Sequence, residues 1–128
     1  SGGATTAQTA VARANYVAAG QDLELSYRTA VRQVRSSFND INANIATIRA
    51  LEQAVISAES ALNATEAGFE VGTRTIVDVL LSTRNLFEAR RNLSGARYNY
   101  VIAILALKQA AGNLSEQDLA GINQALTN

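Results

Sequence analysis

The sequence predicts an all-α protein, a long antiparallel coiled-coil helical hairpin followed by a short C-terminal helix. The 128 residues contain no proline, which interrupts helices more strongly than any other residue. Apolar side chains recur every seven residues along two long stretches, which is the period of a coiled-coil seam. One glycine-containing stretch, residues 67–75, separates them, and no alternating strand pattern is present. Residues 1–128 are therefore interpreted as a single helical-hairpin segment.

The first helix is predicted over about residues 5–66, where one glycine is the only strong helix breaker. Its seven-residue series is Val34, Ile41, Ile48, Val55 and Leu62. Phe38 and Ile45 lie four residues after the first two members, whereas Leu51 and Ala58 lie three residues after the next two. The helix is therefore expected to bury two faces. Because two helices share only one contact line, the second face predicts contact with further helices.

The second helix is predicted over about residues 76–111 and has the more regular pattern. Large residues recur every seven positions and a small residue follows each by three, which lets helix axes approach closely. The members are Val79, Ser82, Leu86, Ala89, Leu93, Ala96, Tyr100, Ala103, Leu107 and Ala110. Gly112 and Asn113 predict the end of this helix. Ser115, with an acidic residue three positions later, predicts the cap of a short third helix over about residues 115–126.

The composition excludes most catalytic and metal chemistry. The chain has no cysteine and no histidine, so it lacks disulfides, thiolates, histidine bases and the usual zinc ligands. Eleven basic and eleven acidic residues give a net charge of zero, which gives no reason to expect a nucleic-acid partner. The longest apolar run, Val101 to Leu107, is far shorter than the ~18–20 residues of a membrane-spanning helix. The sequence thus predicts neither an enzyme nor a bound cofactor or metal.

The stretch AGFEVGTRTIVDVL, residues 67–80, contains its own turn chemistry. Gly68 and Gly72 flank the point where the first helix is expected to end, and glycine accepts a positive φ that other residues resist. Thr75 and Asp78 have the spacing of a capping box, in which each side chain accepts a hydrogen bond from the other's backbone amide. These four residues are explained by the turn alone.

Three residues of the same stretch are not explained by turning the chain. Arg74 precedes a helix N-terminus, where the helix dipole disfavours a cation, so its position predicts a partner outside the turn. Phe69 and Ile76 are apolar side chains at the tip of a hairpin, which predicts contact with a surface beyond it.

At these residues the sequence resembles a known family. AGFEVGTRTIVDVL, together with ARYNYVIAILALKQAAGNLSEQDL (residues 96–119) and SYRTAVRQVRSSFNDINANI (residues 26–45), is similar to the second half of proteins of the TolC family of outer-membrane channels. The resemblance covers nearly the whole chain. It implies the periplasmic tunnel segment and entrance gate of a duct for multidrug efflux and type I secretion. The expected location is the cell outer membrane, with this segment in the periplasm.

The resemblance also implies partners. The full-length protein is expected to be a homotrimer, held in the outer membrane by barrel strands that this chain lacks. It is expected to work with a periplasmic adaptor protein and an inner-membrane pump. The expected adaptor contact consists of Val71, Gly72, Thr73 and Arg74.

Three residues match entrance-gate positions of this family, namely Phe69, Arg74 and Asp78. Phe69 stands where the best-known member has a tyrosine, so one gate hydrogen bond is expected to be missing here. Leu81 stands where that member has a second acid, so an acidic cation-binding ring is expected to be halved.

Two other interpretations fit the same heptads. The chain could be the helical-hairpin interaction module of a periplasmic adaptor protein, which would continue into β-rich sequence on both sides of the hairpin. A soluble coiled-coil scaffold would not need Arg74 and Phe69 at its turn. Flanking sequence separates these interpretations, because a duct is expected to have alternating strands upstream and a related first half.

Overall fold

The computed structural model describes residues 2–127, which form two α-helices joined by a short turn. Helix α1 spans Gly2–Glu70 and helix α2 spans Ile76–Leu126. No strand is present among these described residues. The all-α hairpin predicted from the sequence is therefore confirmed. Helix α1 ends at residue 70 and not at about 66, so only residues 71–75 lie between the helices.

The helices contribute to two compact units, which are described separately. One unit comprises Phe38–Leu105 and includes the turn, and the other comprises Ser1–Ser37 and Ala106–Asn128. Each unit contains a part of α1 and a part of α2. The heptad pattern continues through both units, so the sequence alone predicts no boundary between them.

In the unit Phe38–Leu105, the predicted heptad series of α2 faces α1. Leu86, Leu93, Ala96 and Ala103 are buried, and the other members of the series in this unit are half-buried. Small residues alternate with leucines, so the two backbones approach closely along a narrow seam. No described side chain is completely enclosed, as expected when two helices share a single contact line.

On α1 the same seam is lined by the residues three positions after each member of the seven-residue series. Asn44, Leu51, Ala58 and Thr65 are half-buried at these positions. Phe38, which one of the two sequence patterns assigns to the seam, is 57% exposed. The prediction is therefore wrong for Phe38, whereas Ile45, which the same pattern assigns to the seam, is half-buried.

Polar contacts across the seam show which residues of the two antiparallel helices lie opposite each other in this unit. One is a hydrogen bond near the turn, and two are ion pairs further along the helices. They join Thr65 Oγ1 to Ser82 Oγ at 3.1 Å, Arg90 Nη2 to Glu59 Oε1 at 3.1 Å, and Arg97 Nη2 to Glu52 Oε1 at 3.8 Å. The two ion pairs lie seven residues apart on each helix, so they belong to one register.

In the other unit the two helices also pack on each other. Ala30 and Ala110 are buried there, and a Cβ added to Gly121 would lie 4.0 Å from Leu23 Cδ2. Residues 2–22 of α1 are exposed throughout. An isolated helix without a packed face is only marginally stable in water, so this part of α1 is the least supported by the described chain.

The predicted end of the second helix near residue 111 is wrong. Helix α2 continues through Gly112 and Asn113 to Leu126, with no separate third helix among the described residues, and Gly112 has no positive φ. The seven-residue frame persists beyond this glycine in half-buried residues. They are Leu114, Gln117, Gly121 and Gln124. Continued packing of these residues outweighs the ~1 kcal/mol penalty of one glycine, so Ser115 lies inside a helix and caps nothing.

Both helices also carry exposed apolar side chains away from the seam. On α2, within the unit Phe38–Leu105, these side chains are each more than half exposed. They are Ile76, Val77, Leu80, Leu81, Phe87, Tyr98, Val101 and Leu105. An apolar face of this length on a helix is typical of contact with further helices. None of the described helices contains an apolar stretch long enough to cross a membrane.

Candidate functional site at the helical turn

The turn between the helices and the helix ends beside it contain every residue that the sequence identifies as a candidate site. Helix α1 ends there in a Schellman motif, in which a left-handed residue lets the last amides bond back to the helix. Gly72 has φ +83° and its N–H donates to Phe69 O at 3.1 Å, while the Thr73 N–H donates to Gly68 O at 2.8 Å. The prediction that a glycine supplies the positive φ of the turn is confirmed for Gly72.

Gly68 is required for a different reason, since it lies within α1 and has no positive φ. Its carbonyl oxygen accepts three hydrogen bonds, from the Thr73 N–H at 2.8 Å, the Thr73 hydroxyl at 3.1 Å and the Arg74 N–H at 3.2 Å. A Cβ on Gly68 would lie only 2.6 Å from Arg74 Cγ. The aliphatic stem of Arg74 therefore lies across the bare backbone of Gly68.

Helix α2 begins with the predicted capping box. The Thr75 N–H donates to Asp78 Oδ2 at 2.9 Å, and the Asp78 N–H donates to Thr75 Oγ1 at 3.2 Å. The hydrogen bond from the Thr75 backbone lowers the pKa of Asp78 below its ordinary value of 3.8, with smaller contributions from the Thr75 side chain and the charge of Arg74. Asp78 is therefore a carboxylate at neutral pH, and it stabilises the positive end of the helix.

Arg74 is the one charged residue between the two helices, and its side chain is unpaired. It is exposed, and it forms no ion pair with any residue that the structure describes. Its backbone amide and aliphatic stem are held by Gly68, whereas its guanidinium keeps all its donors for a partner. The turn thus binds the backbone and stem of Arg74 and leaves its charged group without a partner among the described residues.

Apolar side chains surround the turn and are exposed. They are Phe69, Val71, Ile76, Val77, Leu80 and Leu81. Only Phe69 and Ile76 are identified from the sequence as apolar tip residues. Leu80 and Leu81 are apolar like the residues of the seam, but they follow the seam residue Val79 by one and two positions. Their side chains therefore point away from the seam. That offset is the signal by which they could be found.

The three candidate gate residues differ in the contacts that hold them in place. Phe69 is 45% exposed and its carbonyl oxygen accepts the Gly72 N–H, Arg74 is held by its stem, and Asp78 is held in the cap. Among the described residues no group of His, Cys, Asp or Glu is arranged to hold a metal ion. The turn can therefore offer a cation, a carboxylate and an apolar rim to another molecule.

Two long helices with a tight seam on one side, an apolar outer face and a capped, charged turn define a helical hairpin whose outer face the described chain leaves exposed. The chain belongs to the outer membrane efflux protein family, whose match covers residues 1–113. The resemblance found from the sequence is thus confirmed. The family assignment also agrees with the prediction that the chain is not an enzyme and with an outer-membrane location.

Individual relatives are similar over almost the whole chain. The outer membrane protein TolC of Vibrio cholerae serotype O1 is 60% identical over 98% of this chain and 28% of its own length. The outer membrane protein TolC of Escherichia coli K12 is 52% identical over 98% of this chain and 26% of its own length. The proteases secretion protein PrtF of Dickeya chrysanthemi is 35% identical over 93% of this chain and 26% of its own length. The chain thus spans about a quarter of the length of these relatives.

Proposed function

We propose that this chain forms a periplasmic tunnel segment and the entrance gate of a trimeric outer-membrane duct, used for multidrug efflux and type I secretion. Family membership supports a channel for efflux or secretion, and the relatives include both TolC proteins and proteins named for protease secretion. The same membership favours the duct over the adaptor hairpin that also fits the heptads.

The two faces of the helices support the tunnel role. In a tunnel wall, each helix touches a neighbour on either side, so the face away from its own partner must also be apolar. Leu80, Phe87, Val101 and Leu105 of α2 have this property, and all four are more than half exposed in the single chain. Neighbouring hairpins of the same trimer would cover them.

The observation that carries the gate role is the unpaired guanidinium of Arg74. Almost every other polar group of the turn is used within it, by the Schellman motif and the capping box. A guanidinium held at its stem and free at its tip is suited to a charge-assisted hydrogen bond with a neighbouring protomer. Such bonds keep the entrance closed, and their release opens it. Phe69 has no hydroxyl to donate, so its contribution beside this bond is an apolar contact.

The outer rim of the turn supports the contact with a periplasmic adaptor protein, which in turn connects the duct to an inner-membrane pump. Val71 is 75% exposed, and Gly72, Thr73 and Arg74 lie beside it in the connection between the helices. A short exposed turn of this kind presents backbone groups, one apolar side chain and one cation to the tip of another hairpin.

The experiment that tests the gate is charge reversal in the full-length channel. Loss of a charge-assisted hydrogen bond, worth about 1.5–3 kcal/mol, shifts the ratio of open to closed channels by about tenfold or more. Arg74→Glu should therefore raise the mean conductance measured in planar lipid bilayers. Arg49→Glu is the matched control, because Arg49 is exposed in the same unit and forms no ion pair with the described residues. Unchanged conductance in Arg74→Glu, or an equal rise in the control, would remove Arg74 from the gate.

A further inference from the structure

We propose that Gly68 is the positioning residue for Arg74. By having no side chain, it fixes the direction in which the guanidinium leaves the turn. This inference rests on the proposed gate and names the residue on which its geometry depends. Gly68 contacts no partner itself and acts only through Arg74.

Two independent contacts join these residues. The Gly68 carbonyl accepts the Arg74 N–H at 3.2 Å, which holds the backbone of Arg74 beside the last turn of α1. Above that hydrogen bond, Arg74 Cγ lies only 2.6 Å from the point where a Cβ on residue 68 would stand, closer than Thr73 Oγ1 at 3.1 Å and Arg74 Cβ at 3.3 Å. The arginine stem thus fits a gap that exists only because residue 68 is glycine.

The position of Cγ matters because it is set by χ1, the first rotatable bond of the arginine side chain. A Cβ at residue 68 would exclude the observed χ1 well, and side chains move between wells about 120° apart. The guanidinium lies at the far end of the same side chain, so a change at χ1 redirects the whole group. A hydrogen bond to a neighbouring protomer depends on that direction.

The backbone of the turn does not require glycine at residue 68. Gly68 has no positive φ and lies inside α1, where alanine is favoured over glycine by about a factor of five in helix formation. Gly72 has the opposite properties, since its φ is +83° and a Cβ there would meet nothing within 4 Å. Glycine is therefore needed at residue 68 to leave space for the Arg74 side chain, and at residue 72 to allow the positive φ of the backbone.

The test uses four variants of the full-length channel in planar lipid bilayers. Gly68→Ala should raise the ratio of open to closed channels by about tenfold, the effect of losing one charge-assisted hydrogen bond. Arg74→Ala should raise it at least as far. In Gly68→Ala/Arg74→Ala the overlapping Cγ is gone, and the atoms nearest to the added Cβ are then Thr73 Oγ1 at 3.1 Å and the Cβ of residue 74 at 3.3 Å. The alanine should therefore add little to the effect of Arg74→Ala. Gly95→Ala is the matched control, because Gly95 also lies inside a helix and a Cβ there would meet nothing within 4 Å, so it should leave the ratio unchanged.

The outcomes separate the two proposals. If Arg74→Ala leaves the ratio unchanged, the gate itself is wrong, and the role of Gly68 is lost with it. If Arg74→Ala opens the channel and Gly68→Ala does not, the gate stands and the positioning role is wrong. The positioning role is also wrong if Gly68→Ala raises the ratio as much in the Arg74→Ala background as in the wild-type channel, or if Gly95→Ala raises it to the same extent. The double variant also shows that an alanine at residue 68 still allows assembly.

Discussion

Thr75 and Asp78 bind each other twice across the first turn of α2, each accepting the backbone N–H of the other at 2.9 and 3.2 Å. The carboxylate of Asp78 therefore has a structural task in the cap, whatever it also does at the entrance. A substitution of Asp78 alone mixes these two tasks. The residue pair as a whole allows them to be separated, because Thr75 shares the cap and carries no charge.

The cap predicts a pH dependence of stability. The pKa of Asp78 is lowered from 3.8 in the folded protein, so its ionised form stabilises the fold above the unfolded pKa. This contribution is lost as the pH falls through the folded value, below 3.8. The melting temperature of the full-length protein should therefore exceed that of Asp78→Asn by a constant amount between neutral pH and about pH 5. The difference should shrink below pH ~4. A difference that grows on acidification would contradict the role of the cap.

Cation block separates the cap from the entrance. If Asp78 lines the entrance, Asp78→Asn should weaken block of the full-length channel by di- or trivalent cations, because the carboxylates that attract them are gone. Thr75→Ala keeps the carboxylate and removes its capping partner, so it should lower stability by about 1 kcal/mol and leave the block intact. Equal block in Asp78→Asn and the wild-type channel would leave Asp78 with the cap alone.

Substitutions on the two faces of α2 should differ in whether their effect on stability depends on assembly. Leu93 is 8% exposed in the seam, so Leu93→Ala should destabilise both the isolated chain and the assembled channel. The expected loss is about 2–3 kcal/mol, the low end for a leucine in a core. Leu105 is 55% exposed, and Leu105→Ala should change the isolated chain by less than about 0.5 kcal/mol. In the assembled channel it should be clearly destabilising. Chemical denaturation of both forms measures this difference.

The ion pairs across the seam should contribute little. Both partners of Arg90–Glu59 are about half exposed, at 52% and 47% of their side chains, and solvent screens such pairs. A double-mutant cycle with Arg90→Gln and Glu59→Gln should give a coupling below about 1 kcal/mol, smaller still at high salt. A large coupling that ignores salt would mean that the pair is buried in the assembled protein.

The seam on α2 could be predicted from sequence because large and small residues repeat there without exception from Val79 to Ala110. The seam on α1 could not, because two apolar patterns compete, and only the partner helix decides that Leu51 faces it while Phe38 does not. The predicted end of α2 near residue 111 is wrong for a related reason. Gly112 is a weak local signal, and the packing of later residues overrides it.

At the candidate site, local chemistry was predictable and three-dimensional contact was not. The capping box could be predicted because it depends on residues three apart in sequence. The missing partner of Arg74 could be predicted because a cation there conflicts with the helix dipole. The role of Gly68 could not be predicted, because it depends on a side chain six residues later that folds back over the end of α1.

The regular spacing of the ion pairs leaves the alignment of the two helices ambiguous. A slip of seven residues would pair Arg90 with Glu66 and Arg97 with Glu59. The turn opposes this slip, because its five residues all donate their backbone N–H groups and so allow one distance between the helix ends. An insertion into residues 71–75 would therefore allow alternative alignments of the two helices that differ by seven residues. The shortest part of the chain thus determines how its longest parts are matched.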